Sequence, residues 1–328
     1  MNIKLELPES FYEGEERCGY YVSPEMKKVW AVQLDLIAEF ARVCEKHNLT
    51  WYADGGTLLG AARHKGFIPW DDDVDLIMMR SEYERLREIS AEEFRHPYLL
   101  YSYEGGNLYI AHAKLYNEDT TMIDQHTRLL LDLGAKNTDY PQGVHIDLFV
   151  ADNLPDDERA FRRMYRKASF FQALSHYLYE ASEDMYYLSP SKLMRTAKSA
   201  IYHALKFTGL YGTELFSHKR YFRKFMEAIK SCDDTESRRV ANLALIGNKQ
   251  LGGERNIWQR KDFLPQIHLP FETLMLPAAS GYDNILTCLY GNWREFKITH
   301  NHGTFFDTEK SYKYYVADRE KGAVRYVL

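Results

Sequence analysis

The chain has 328 residues and a formal net charge of −5, with a sequence pI of about 6.2, and is long enough to bury a full core in one large domain or two ordinary ones. That balance argues against a protein that coats nucleic acid through bulk electrostatics, so an anionic ligand must be bound locally. Met1 to Leu7 lacks the basic head and apolar run of a secretory signal, and no segment offers about 18 consecutive apolar residues, so a cytoplasmic protein is expected. Cys18, Cys44, Cys232 and Cys288 are scattered, without a C-x-x-C pair or matching His spacing, and read as four reduced thiols rather than a zinc site or disulfide framework.

Ser23-Pro24-Glu25 combines an N-cap, a proline at the first helical position and an early acid. Val29, Trp30, Ile37, Phe40, Ala41 and Cys44 then recur near helical spacing, predicting a helix of about six turns to His47-Asn48. Leu49 to Ala53 is short and aromatic and is bounded by Gly55-Gly56, the pattern of a strand feeding a glycine turn and then a helix from Thr57. A strand, a Gly-Gly turn and a helix N-terminus together form a phosphate-facing unit. Val74 to Met79 reads as the next strand, and Ser81 with Glu82 and Glu84 opens a helix through Phe94. Tyr98 to Tyr103 and Leu108 to Tyr116 read as strands joined in a hairpin across Gly105-Gly106-Asn107, with Tyr98, Tyr101, Tyr103 and Tyr109 as packing residues. Val144 to Val150 is a last core strand, giving an α+β order up to about residue 155.

From Asp156 to Lys230 helical patterning replaces strand signals, and thirteen Lys/Arg stand against five Asp/Glu between Arg162 and Lys230. This is either a solvated basic face or a surface in peripheral contact with an anionic membrane. Leu264-Pro265, Leu269-Pro270-Phe271-Glu272 and Leu276-Pro277 read as extended segments broken by prolines, followed by a helix from Tyr282 to Tyr290. Three regions are expected: a catalytic core with its N-terminal helix over 1–155, a basic helical region over 156–250, and a C-terminal segment over 251–328 that packs back on the core.

The chemistry concentrates in Asp71-Asp72-Asp73-Val74-Asp75. Side chains of a strand alternate, so Asp73 and Asp75 share one face with Ile77, while Val74, Leu76 and Met78 take the other. Like charges that close repel unless a cation neutralises them, which predicts a divalent metal or a raised pKa, and oxygen-only ligands favour Mg²⁺ or Mn²⁺ over zinc. On the strand 144–150, His145, Asp147 and Phe149 share a face. A lone acid there is costly to bury unpaired, which makes Asp147 the candidate third carboxylate, as metal ligand or as acceptor of a hydroxyl proton.

Gly55, Gly56 and Thr57 are the candidate phosphate-facing residues. Arg63 and Lys65 either contact diphosphate oxygens or pair with the 71–75 acids. Two plainer readings compete for the acids, a solvated turn and a calcium loop; the latter fails where Leu76 stands in place of the required glycine. His300 and His302 read as a surface loop.

Gly56 to Asp75, with Arg63-His64-Lys65-Gly66-Phe67-Ile68-Pro69-Trp70 at its centre, resembles the LicD family, which includes the fukutin-type proteins. Supporting similarities lie in Ala113-Lys114-Leu115 with Thr120-Thr121, in Gly143 to Phe149, and in Leu269 to Glu272 through Tyr282-Asp283 to Tyr290-Gly291-Asn292-Trp293. The resemblance implies a fold similar to the DNA polymerase β-type nucleotidyltransferases. It also implies metal-dependent transfer of phosphocholine or a similar phospho-alcohol from a CDP-linked donor to a sugar hydroxyl of a cell-surface glycan or lipid-linked precursor, releasing CMP. By position it carries over Asp73 and Asp75 as paired metal ligands, Asp147 as third acid, Asp71 as a further family acid, Gly56-Thr57 as the phosphate-facing turn and Lys114 as a substrate-binding residue. The long Gly56 to Asp73 spacing departs from nucleotidyltransferases in general, and the chain lacks the cysteines of the zinc-bearing insertion of fukutin-type relatives. Two other classes keep a place: a metal-dependent D-x-D glycosyltransferase using a nucleotide sugar, and a non-catalytic glycan-binding protein.

Overall fold

The computed structural model describes residues 1–103, 110–123, 141–182, 191–211, 213–232, 236–244, 246, 253–298 and 304–315. Two compact units emerge: Met1–Gln125, Tyr140–Ala151 and Trp258–Leu328 form the first, and Asp152–Ile257 falls in the second.

The first unit begins with a hairpin of β1 (Glu15–Arg17) and β2 (Tyr20–Val22), turned at Cys18-Gly19 where both residues have positive φ. Helix α1 (Pro24–Lys46) follows, capped as expected: the Ser23 hydroxyl accepts the Met26 N–H at 3.2 Å and Pro24 occupies the first turn, where no N–H is needed. Its buried stripe includes Val29, Trp30, Leu34, Ile37, Phe40 and Cys44. Then come β3 (Tyr52–Ala53), α2 (Gly55–Arg63), β4 (Asp75–Met79), α3 (Arg80–Glu93), β5 (Tyr98–Tyr101), β6 (Ala113–Asn117), β7 (Thr121–Ile123) and β8 (His145–Asn153). They make a mixed sheet in the order β5-β6-β8-β4-β3, in which β4 and β8 run parallel and the other neighbours antiparallel. Leu76, Ile77 and Met78 of β4 and Ile146, Leu148 and Val150 of β8 fill the core. The fold is therefore α+β, as the order of elements predicts.

In the second unit α4 (Glu158–Ser182), α5 (Lys192–Phe207) and α6 (His218–Ile229) precede the short β9 (Arg239–Asn242). Helix α6 buries Phe222, Phe225, Met226, Ala228 and Ile229 and packs along α4, where Ser175 donates to the His218 carbonyl at 3.0 Å. The chain then passes through β10 (Ile257–Gln259) into β11 (Gln266–Phe271), β12 (Leu274–Ala279), α7 (Tyr282–Tyr290) and β13 (Phe305–Asp307), which pairs with β7.

Four local expectations need correction. The Gly55-Gly56 pair is the first turn of α2 rather than a turn ahead of it, because Asp54, extended at φ −129°, already takes the N-cap position. Strand β4 starts at Asp75, so Asp73 lies in the preceding loop and not on the same strand face. Helix α3 starts at Arg80, with Met79 in the cap position, so Ser81 caps nothing. Pro270 and Pro277 do not break the chain but sit inside an antiparallel β11–β12 hairpin, opposite Met275 and His268. A two-stranded ribbon leaves each strand an outer side where a missing N–H breaks no ladder bond. The predicted hairpin turn at Gly105-Gly106-Asn107, with Leu108 and Tyr109, lies outside the described residues, as do His300 and His302.

Candidate active site

The acids converge where β4 and β8 start side by side. Asp75 is the first residue of β4 and is directly opposite Asp147 of β8, which is in turn opposite Lys114 of β6, so that one row across three strands reads Asp75, Asp147, Lys114. Backbone bonds fix this row: Asp147 N–H donates to the Val74 carbonyl at 2.8 Å, and Asp54 N–H to the Asp75 carbonyl at 3.0 Å. The Thr57 hydroxyl accepts the Asp75 N–H at 2.8 Å, tying the start of α2 to the start of β4. Thr57 thus faces the acid strand, one turn inside the helix.

The loop that carries Asp71, Asp72 and Asp73 is held from α1. Trp30 Nε1 donates to the Asp71 carbonyl at 3.3 Å and Gln33 Nε2 to the Asp72 carbonyl at 2.7 Å. Trp30 also stacks on Phe67, with ring centroids 4.6 Å apart and 5° between planes. The α1 periodicity read from sequence therefore does more than fill the core, since two of its side chains pin the backbone of the acidic loop. One carboxylate oxygen from each of Asp71, Asp72 and Asp73 can be chosen so that all three lie within 4.8 Å of one another.

Gly55 and Gly56 lie directly against these acids. Gly55 has φ +49°, a left-handed conformation that glycine adopts at no steric cost. A Cβ at Gly55 would run into the Asp75 carboxylate, and one at Gly56 would stand 2.9 Å from Asp71 Oδ2. The glycines bring the helix start against the acids, which places backbone N–H groups, the acids and any phosphate bound between them at one location.

Electrostatics divide the acids into two groups. Burial raises Asp54 to about 6, and burial followed by mutual repulsion raises Asp71 and Asp75 well above the carboxylate range. Asp73, Asp147, Asp54 and Asp71 all contribute to the repulsion at Asp75. Asp147 behaves oppositely: burial opposes ionisation, but Lys114, His112 and His145 outweigh it and hold the carboxyl at about 2. Lys114 Nζ lies 2.8 Å from Asp147 Oδ1, with His112 Nε2 at 3.7 Å and His145 Nε2 at 3.9 Å. His112 is tilted against Phe149, centroids 4.6 Å apart, and burial lowers it to about 4, so its ring is neutral at pH 7.

A cluster of mutually repelling carboxylates, buried or half-buried and packed against the glycines that open α2, fits a hard divalent cation with oxygen ligands. Asp71, Asp72 and Asp73 offer oxygens close enough to share such an ion, and Asp75 and Asp54, which repel the same cluster, could add donors beside them.

Of the candidate residues, the structure brings together Asp71, Asp73, Asp75, Asp147, Gly55, Gly56, Thr57 and Lys114. Arg63 is engaged elsewhere, and no described contact ties Lys65 to the acids. Arg63 donates to the carbonyls of Trp293 at 2.8 Å and Glu295 at 3.0 Å, donates to His64 Nε2 at 2.9 Å, and covers the Phe296 ring. Lys65 is exposed, with φ +58°, and its carbonyl accepts the Glu272 N–H at 2.8 Å. The segment between them is anchored by Glu272, whose carboxylate takes a bidentate contact from Arg17 and the Phe67 N–H at 3.1 Å. Phe271 packs on Phe67 at 4.7 Å. The Arg63 to Trp70 segment and Leu269 to Glu272 are thus two halves of one packing arrangement.

Sequence reasoning passed over Asp54, His112 and Tyr290. Asp54 directly precedes Gly55-Gly56 and was legible as an N-cap type residue. His112, just ahead of β6, and Lys114 within it both stand toward Asp147. Tyr290, the last residue of α7, stands in the Tyr290 to Trp293 similarity but not among the candidate site residues; burial and then the charges of Asp75, Asp54, Asp71 and Asp73 push its phenol well above the usual range.

Residues 48–127 match the family described as LicD/FKTN/FKRP, nucleotidyltransferase domain. The chain is 24% identical over 264 residues to the lipopolysaccharide cholinephosphotransferase LicD of Haemophilus influenzae, covering 80% of this chain and 88% of that protein. Shorter similarity, 39% over 54 residues, extends to an uncharacterized protein of Rickettsia prowazekii, covering 16% of this chain and 20% of that protein. A second uncharacterized protein, from Rickettsia typhi, is 37% identical over 54 residues, covering 16% of this chain and 18% of that protein. The family match spans β3, the Gly-Gly helix start, the acidic loop and the strand of Lys114, and the long relative extends the likeness to that family over most of the chain.

Proposed function

We propose that this protein is a divalent-metal-dependent phosphotransferase that moves phosphocholine from CDP-choline to a sugar hydroxyl of a lipopolysaccharide-type glycan, releasing CMP. The observation that carries the reading is the set of carboxylates of Asp54, buried, and Asp71, Asp73 and Asp75, half-buried, gathered at the glycine-lined start of α2. The similarity to a lipopolysaccharide cholinephosphotransferase supports phosphocholine as the transferred group and a lipopolysaccharide-type acceptor. The reading takes the first unit as a nucleotidyltransferase-type core, consistent with the description of the matching domain.

Asp71, Asp73 and Asp75 would hold Mg²⁺ or Mn²⁺, which when bound neutralises donor phosphate charge and polarises the phosphorus. The α2 N-terminus orients the diphosphate through its backbone N–H groups. The acceptor oxygen forms a bond to the phosphorus of the phosphocholine group, the bond from that phosphorus to the CMP oxygen breaks, and the acceptor proton passes to solvent. Asp147, held at about 2 by Lys114 and its two histidines, is a weak base and serves as a fixed anion rather than a proton acceptor. Lys114 keeps Asp147 ionised and in place through the 2.8 Å ion pair.

The test is CMP release from CDP-choline, and separately from other CDP-alcohols, with and without Mg²⁺ and with a mixed glycan acceptor pool. Metal-dependent release from CDP-choline, with phosphocholine on glycan, is the expected result. Release from a different CDP-alcohol alone would replace the head group. No release, with hydrolysis of a UDP- or GDP-sugar instead, would turn the assignment to glycosyl transfer.

A further inference from the structure

Helix α5 (Lys192–Phe207) of the second unit distributes its side chains in an unusual way. An ordinary amphipathic surface helix turns its apolar stripe inward. Here the residues buried on α5 are Lys198 and Tyr202, and the large apolar side chains point out: Leu193 is 81% exposed and Phe207 93%, with Met194 and Ile201 exposed as well. At 3.6 residues per turn, Leu193, Met194, Ala197, Ile201, Ala204 and Phe207 fall within one arc of about 140° that contains no charged residue. Lys192, Arg195, His203 and Lys206 occupy the adjoining arc, between that stripe and the buried pole. Between Ser191 and Tyr211 the sequence holds four Lys/Arg and no Asp or Glu, although the whole chain carries a net charge of −5.

The order of arcs around α5 is therefore buried pole, basic flank, exposed apolar stripe. An exposed apolar stripe of this size costs free energy in water and marks a docking face. Its basic border selects the occupant. A second copy of the chain, joined face to face by a two-fold axis, would set the same cationic flank against itself. An anionic lipid surface complements both halves at once, with acyl chains for the stripe and headgroups for the flank. With 16 residues the helix is about 24 Å long and carries four cations, which suits lying in the interface rather than crossing it. Among the described residues no helix is long and apolar enough to cross a membrane.

We propose that α5 is a membrane-docking helix that lies in the headgroup region of an anionic bilayer, with Leu193, Ile201 and Phe207 inserted and Lys192, Arg195 and Lys206 on the phosphates. The proposal goes beyond the transfer reaction and does not depend on the identity of donor or acceptor; it would bring the enzyme to a lipid-carried substrate by confining it to the surface where that substrate resides.

Flotation of the full chain with vesicles of phosphatidylglycerol and phosphatidylcholine, and of phosphatidylcholine alone, tests this directly. The expected result is binding to the anionic vesicles, reduced several-fold by raising salt from 50 to about 300 mM as screening shortens the reach of the flank. Leu193→Ser with Phe207→Ser should weaken binding by at least about tenfold, since each removes a side chain otherwise inserted in the interface. Lys192→Glu with Arg195→Glu should weaken it comparably while leaving the stripe intact. All four positions are exposed, so far-UV circular dichroism and CMP release with a water-soluble acceptor should match wild type, which separates failure of docking from failure of the transfer reading. Absence of wild-type binding to anionic vesicles, or equal binding by both double variants, would overturn the proposal. Concentration-dependent dimerisation abolished by Leu193→Ser with Phe207→Ser, without vesicle binding, would overturn it in favour of a self-interface.

Discussion

Asp75 and Asp147 face one another across two parallel strands, yet the protein treats them as opposites. Asp75 meets four other carboxylates and is pushed up, whereas Asp147 meets Lys114 and two histidines and is held at about 2. Burial acts on both in the same direction, so neighbouring charge decides the outcome. The β4 side is an incomplete charge set that a cation would complete, and the β8 side is already balanced by the protein. A row of three strands thus places a cation-demanding group and a self-compensated one in adjacent positions.

Asp75→Asn breaks the comparison most severely. Turnover should fall by about three orders of magnitude or more, as expected for loss of a ligand to a catalytic cation. In chelator the same variant should melt at or above the wild-type temperature, because it removes one member of a repelling cluster; a lower midpoint would show that the raised Asp75 is not strained by its neighbours. Mg²⁺ should raise the wild-type midpoint and not that of the variant.

Gly55→Ala should come next. The left-handed φ strains any residue with a Cβ, at a cost of about 1–3 kcal/mol, and that Cβ points into the Asp75 carboxylate. A rate loss of about a hundredfold with reduced Mg²⁺ affinity is expected; full activity would remove the glycine from the site.

Lys114→Met turns Asp147 into an acid without its main counter-charge. Both partners are largely buried, so a loss of about 3 kcal/mol in denaturant titrations is expected. Restoring much of that stability by adding Asp147→Asn in the same chain would show that the penalty belongs to the uncompensated carboxylate.

The smallest effects are those of pH, and they have opposite signs on the two sides. Asp54, raised to about 6, destabilises the metal-free fold increasingly as pH rises from about 4 to about 6. Asp147, lowered to about 2, contributes stability that is present above about pH 4 and lost as pH falls from about 4 to about 2. Measured as differences from Asp54→Asn and Asp147→Asn, both in chelator, the two curves should slope in opposite directions within those windows. Parallel curves would mean that the charge environments are not opposed.

Much of this was legible before any coordinates. Ser23-Pro24 starts a helix because its cap and proline act within one turn, and α7 runs from Tyr282 to Tyr290 as its local pattern requires. The carboxylates and glycines are adjacent in sequence, so their association needed only a strand followed by a helix start. What failed was of two kinds. Boundaries shifted by one or two residues at Gly55, Asp75 and Arg80, where cap and register are set by hydrogen bonds from other elements, such as Thr57 to Asp75. Partners remote in sequence were also hidden: Arg63 looked free to bind phosphate, but the carbonyls of Trp293 and Glu295 occupy it from more than 200 positions away.

The sequence by itself determined which residues were available: a dense run of acids, glycines just ahead of a helix, a third acid on an apolar strand, and a basic helical region. It could do so because periodicity and local backbone preferences act over a few residues. Only the tertiary structure decided how those residues are used. It set Lys114 rather than Arg63 beside an acid, brought Asp54 and Tyr290 within electrostatic reach of the cluster, and turned the apolar stripe of α5 outward. Coulomb interactions and desolvation depend on distances between chain segments far apart in sequence, and packing alone fixes those distances.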